Sequence, residues 1–264
     1  MAGQRFFISL ILLMFWMPTL GVAQPSTERV TPAEADANSL LSAFIAYTDL
    51  RIRSVQQSLE ILAATSEARS DNWSNMKDLL TGYQESDEGL IVWYVRPDGT
   101  YYTVDKGLMD QVLRDRDYFP DLIAGRKITG ALVISKATGQ RSAIIAVPIE
   151  VDGKIAGAVG VSLFLDKLSE QINAALDLRQ GVAFFALAPN GLATLNRKTD
   201  RHFLDPREMG SETLKRAATE MLAGTSGKTT YEYDNVTKHA IYSTSALTGW
   251  KFAIAFGEPA EEAH

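Results

Sequence analysis

The run Asp115-Arg116-Asp117-Tyr118-Phe119 is the strongest candidate for recognition chemistry in this chain. A guanidinium presents a planar fork that can hold a carboxylate through two parallel charge-assisted bonds. The plain alternative is an ion pair between Arg116 and Asp115 or Asp117. Tyr118 and Phe119 suit either a core or the apolar wall of a pocket with few polar anchors. Lys136, directly after Ser135, offers a second cation, and a surface lysine in a turn explains it equally well. Catalytic patterns are missing. His202, His239 and His264 are scattered, with no zinc-protease, nucleophile-elbow or phosphate-loop spacing around them. With no cysteine in the chain, thiolate nucleophiles, disulfides and cysteine-ligated metals are excluded. No enzyme is expected, and no cofactor or metal is nominated.

Charge narrows the partners. The chain has 264 residues with 26 Lys+Arg against 32 Asp+Glu, a net charge of −6. Without a basic block it lacks the concentrated positive face that phosphate backbones require, so no nucleic acid is expected. Residues 1–23 combine Arg5, an apolar run from Phe6 to Met17 and the small residues of Gly21-Val22-Ala23. Those three parts predict a secretory signal peptide cleaved after Ala23, the other reading being an uncleaved N-terminal anchor. The expected location is therefore periplasmic or secreted.

The elements that must position these residues come from periodicity. Thr31-Pro32-Ala33-Glu34 has the residues of a helix start. Leu41, Phe44, Thr48, Ile52, Val55, Leu59 and Leu62 then step by three or four, which predicts a long helix over 31–68 with one apolar stripe. That stripe has to lean on a partner copy or on the domain that follows. A shorter helix is expected around Trp73–Tyr83. From Leu90 the pattern becomes strand-like, with short helices at Leu108–Arg114 and Tyr118–Ala124, a three-strand meander over 131–165 and a helix to Leu178. The order then repeats. Pro97 and Pro189, and Gly99 and Gly191, are each 92 residues apart in matching turns. In the second half, Arg197, Tyr231, Tyr233 and Trp250 could line a pocket, with core packing as the plainer explanation. The predicted fold class is α+β: a long N-terminal helix and two tandem modules with antiparallel sheets, over 72–178 and 181–257, ending in a frayed tail over 258–264.

This layout resembles the double Cache family of extracellular, PAS-like sensors. The matching text is Asp115–Phe119, Ile134-Ser135-Lys136-Ala137-Thr138-Gly139, Ala146–Ile149, Asp152-Gly153-Lys154 and Gly157–Val161. The resemblance implies a small-molecule site in the first, membrane-distal module. Arg116 would then take a ligand carboxylate, Tyr118 or Phe119 would form its wall, and Ser135 and Lys136 would face it. Members that bind free amino acids place Asp at the positions of Ser135 and Ser162 to hold the ammonium group. Their absence turns the expectation towards organic carboxylates. The text ends shortly after the second module, so the expected readout is a separate membrane receptor, kinase or transporter, as in chemotaxis and other signal transduction. A homodimer through the N-terminal helix is a further expected partner. The alternative is an interaction or dimerisation module with no small-molecule ligand.

Overall fold

Helix α1, Pro32–Ala63, is the spine on which both sheets are mounted in this computed structural model, which describes residues 32–257. The expected signal peptide, its cleavage site, the Thr31 cap and the tail over 258–264 lie outside the described residues. Every residue of the expected stripe, from Leu41 to Leu62, is at most 8% exposed. Even Thr48 is fully buried, because its hydroxyl donates to the Phe44 carbonyl (2.9 Å) and so arrives without an unpaired polar atom. The stripe is covered by the chain's own sheets and needs no second copy to bury it. Its N-terminal half seats on the second sheet, where Phe44 packs edge-on against Phe184 and Phe252 (ring centroids 4.9 and 4.7 Å). Its C-terminal half meets the first sheet, where Glu60 pairs with Lys127 (2.6 Å). Instead of continuing to residue 68, the helix ends at Ala63. Thr65 then accepts from the Ala68 amide (3.2 Å) and caps a separate turn, α2 (Ser66–Arg69), before α3 (Trp73–Glu85).

The first sheet comprises β1 (Leu90–Val95), β2 (Thr100–Thr103), β3 (Gly107–Val112), β4 (Ile128–Ile134), β5 (Arg141–Val151) and β6 (Lys154–Phe164). All pairs are antiparallel, in the order β3-β2-β1-β6-β5-β4. The expected helix at Leu108–Arg114 is instead the edge strand β3. From Gly107 to Asp110 half-buried and exposed residues alternate, and Gly107 supplies the positive φ (67°) that turns the chain back along β2. The short helix α4 (Phe119–Ile123) lies between β3 and β4. Pro148 sits in β5 past the last β4 partner, Ala146, where that side of the strand is unpaired, and it stands opposite Ala158 of β6.

Helix α5 (Leu165–Leu176) leads into the second sheet: β7 (Val182–Leu187), β8 (Ala193–Asn196), β9 (Ser226–Tyr233), β10 (Val236–Thr244) and β11 (Lys251–Gly257). Helix α6 (Glu212–Ala223) crosses between β8 and β9. The order β8-β7-β11-β10-β9 is that of the first sheet without its edge strand β3. The matching turns also agree bond for bond. The Gly99 amide donates to the Arg96 carbonyl (2.9 Å) and the Gly191 amide to that of Ala188 (2.8 Å), with φ of 89° and 95°.

The two sheets also approach each other closely at one glycine of β4. Gly130, at φ 86°, interrupts the β4–β5 register, and the Trp250 ring lies where a side chain would stand, 3.1 Å from an ideal Cβ. Trp250 is 1% exposed and plugs the seam between the sheets, so it does not line a second-module pocket as the sequence allowed.

Candidate functional site

In the first module the segment 113–118 and α4 fold over one face of the sheet and close a small cavity. Arg116, Tyr118, Ser135, Lys136 and Ser162 all line it, brought together from the covering segment, the β4–β5 turn and β6. Phe119 does not. It is 3% exposed and packs into the core with Trp93, Leu122 and Ile128. Sequence reasoning missed seven lining residues: Trp93 on β1, Tyr101 and Thr103 on β2, Leu113 at the start of the covering segment, Val133 on β4, Ala137 in the β4–β5 turn and Ile144 on β5.

The cavity is about 20 Å3, room for roughly one water molecule. Its two cations are engaged with the chain itself. Arg116 donates through Nη2 to the Ile134 carbonyl (2.7 Å). Lys136 donates through Nζ to the Val112 carbonyl (2.6 Å) and to both oxygens of Asp115 (2.6 and 2.7 Å). That ammonium holds the Asp115 carboxyl below the usual carboxylate range. Both side chains thus latch the covering segment to the end of β4. Inside, the Tyr101 hydroxyl is buried and has no hydrogen-bond partner, an arrangement that costs on the order of 1–3 kcal/mol. Burial raises the Tyr101 phenol above its ordinary value, the nearby Arg116 charge opposing, and burial raises Tyr118 further. No acidic side chain lines the cavity.

The second module is built differently at the same place. There α6 and the segment 197–210 stand off the sheet and leave a cavity of about 670 Å3. Arg197, Tyr231 and Tyr233 line it, as the sequence allowed. Arg197 is committed elsewhere: its guanidinium donates to the carbonyls of Leu178 (3.0 Å), Arg179 (3.1 Å) and Val182, clamping the α5–β7 connection.

A third constellation joins the modules and was invisible in the sequence. His202 Nδ1 lies 2.6 Å from the Asp166 carboxylate and its Nε2 lies 3.0 Å from the Ser169 hydroxyl. With Nδ1–H donating to the carboxylate, Nε2 accepts from the serine, the order found in nucleophilic triads. Access decides against that use. Ser169 is 1% and His202 0% exposed, and the serine oxygen also accepts from the Asn196 amide (3.3 Å). The trio ties the first turn of α5 to β8. Burial lowers the His202 pKa despite the opposing pull of Asp166.

Comparison with known proteins places this architecture. No protein-family model matches the chain. A methyl-accepting chemotaxis protein of Bacillus subtilis, McpB, is 27% identical over 201 residues, which is 74% of this chain. The chain spans only 28% of that receptor's length. Among solved structures, the extracellular domain of a protein described as a histidine kinase superposes with a TM-score of 0.70 at 18% identity, covering 86% of this chain and 95% of that one. The sensory domain of the Campylobacter jejuni chemoreceptor Tlp3, solved with isoleucine bound, superposes at 0.62 and 15% identity, covering 86% and 92%. Among the described residues no helix is long and apolar enough to cross a membrane. With its spine helix and two sheets of matching order, the described chain has the fold of the double Cache sensory domains of chemoreceptors and histidine kinases.

Proposed function

We propose that this chain is an extracytoplasmic sensor that binds a small organic carboxylate in its first module and acts through a separate membrane receptor, kinase or transporter. The observation that carries this reading is the convergence of Arg116, Lys136 and the unpartnered Tyr101 hydroxyl on one cavity without any acidic side chain. A carboxylate entering there accepts from Tyr101 and competes with the Ile134 carbonyl for Arg116 and with Asp115 for Lys136. Each exchange loosens the latch on the covering segment while tying it to the ligand. Free and bound states therefore differ in contacts at the same residues, which is what a ligand needs to shift an equilibrium between them. The isoleucine seen in Tlp3 is a less suitable guest here, because Ser135 and Ser162 offer an ammonium no charge partner.

The test is a thermal-shift screen of acetate, lactate, succinate and neutral amino acids, followed by titration calorimetry. A ligand at 100 times its dissociation constant adds about 2.7 kcal/mol to stability. Arg116→Ala should weaken binding about 10- to 150-fold, the loss of a charge-assisted pair. Unchanged affinity in that variant, or a preference for free amino acids, refutes the assignment. The size of the cavity favours a second reading, an interaction module with no ligand in its first module, and a screen without any saturable hit would refute the carboxylate assignment in favour of it.

A further inference from the structure

The 670 Å3 cavity of the second module falls inside the roughly 300–1,000 Å3 typical of small-molecule sites, and its chemistry is divided. The inner walls are apolar: Phe185 from β7, and Leu214, Ala217, Ala218 and Met221 along one face of α6. The rim is basic. Arg201 stands with its guanidinium carbon 5.7 Å from the centre of the Tyr233 ring, and the Lys198 ammonium lies 6.0 Å from the same ring. Buried Nε of Arg201 has no hydrogen-bond partner, and its nearest recorded carboxylate oxygen, on Asp200, is 3.8 Å away. The Lys198 ammonium is 4.0 Å from Asp234 and its side chain is 61% exposed. Unlike Arg197, these two cations are not consumed by backbone carbonyls.

An apolar chamber with a cationic rim fits one class of guest. We propose that the second module is a second binding site, taking an amphipathic carboxylate whose aliphatic body lies against Phe185, Met221 and α6 while its head meets Arg201 and Lys198. A neutral apolar molecule would leave the Arg201 Nε–H unpaired. An acid as short as acetate would leave the apolar wall wet. Only a longer acid satisfies both ends, and it brings the oxygen acceptor that the buried Arg201 Nε–H lacks. The site stands on observations separate from those of the first module and does not depend on that reading.

Titration calorimetry of the purified chain with butyrate, hexanoate, octanoate and decanoate, with decanol as the uncharged control, tests it. Saturable binding should tighten by roughly three- to fourfold per added methylene, the equivalent of burying each in an apolar wall. Arg201→Ala should weaken decanoate about 10- to 150-fold and leave decanol unchanged. Ala218→Leu, which fills the chamber, should abolish decanoate binding while keeping a cooperative melt; if it fails to fold, Met221→Phe replaces it. Excess acetate should not displace decanoate. Affinity that ignores chain length, that survives both Arg201→Ala and the filling variant, or that matches decanol overturns the proposal. Displacement by acetate would put the probe in the first module, overturning this site and leaving the first-module assignment standing.

Discussion

Replacing Phe44 with alanine probes the seating of α1 on the second sheet. Phe44 is fully buried, and its ring meets Phe184 and Phe252 edge-on at 4.9 and 4.7 Å. Truncating a buried phenylalanine costs about 3–5 kcal/mol. Two edge-to-face pairs, each contributing about 0.5–1.5 kcal/mol beyond area burial, place this site in the upper part of that range. For a folded body of this size, about 4 kcal/mol lowers the melting temperature by roughly 8–16 °C. Leu50, on the opposite face of the same helix and 70% exposed, is the matched control. Leu50→Ala should stay within about 0.5 kcal/mol of the parent. Urea titration followed by circular dichroism measures both. A Phe44→Ala loss below about 1.5 kcal/mol, or one equal to that of Leu50→Ala, would refute the seating of the helix on this sheet.

Two further outcomes follow from features away from the ligand sites. Gly130→Ala puts a Cβ 3.1 Å from the Trp250 ring at a φ of 86° and should destabilise by about 1–3 kcal/mol, read as a shifted urea midpoint; an unchanged midpoint would show that the seam is loose. His202 has a folded-state pKa below its ordinary value of about 6.5, so the unfolded chain takes up the proton first as pH falls. Its stabilising contribution is complete above about pH 6.5 and declines as pH drops from there towards the lower folded value. His202→Gln should flatten the slope of melting temperature between pH 5 and 7, whatever its absolute cost, and an identical slope in the two proteins would contradict the assignment.

The spine helix was legible because its burial is a one-dimensional property: a stripe stepping by three or four needs no knowledge of what covers it. The second sheet was legible for a related reason, since the Pro97–Gly99 and Pro189–Gly191 turns repeat the same backbone demand at a fixed distance. Segment 108–114 misled because its apolar residues are too few to separate a two-residue period from a helical one, and pairing with β2 decided the outcome. At the first cavity, the polar residues in or beside recognisable text were found, and the lining residues without a polar anchor role, such as Val133 and Ile144 on plain strands, were not. Tyr101 carries no local mark of its orphaned hydroxyl, which exists only once β1, β2 and the segment 113–118 are assembled. The Asp166–Ser169–His202 trio was unreadable because tertiary folding brings together groups more than 30 residues apart. The size of the second cavity likewise depends on how far α6 stands from its sheet, a distance that no residue spacing records.

Trp250 in the seam gives the molecule an optical property as well as a mechanical one. The three described tryptophans occupy three separate stations: Trp73 at the start of α3, stacked on Tyr102 (5.0 Å), Trp93 in the wall of the first cavity, and Trp250 between the sheets. Intrinsic emission is thus already distributed over the outer surface, the first site and the joint between the modules. Trp93 and Trp250 are 3% and 1% exposed, so each reports on its own surroundings with little interference from bulk solvent. Slippage at the joint would change the polarity around one indole and leave the other two dark to the event, a spectroscopic map written into the chain without any added label.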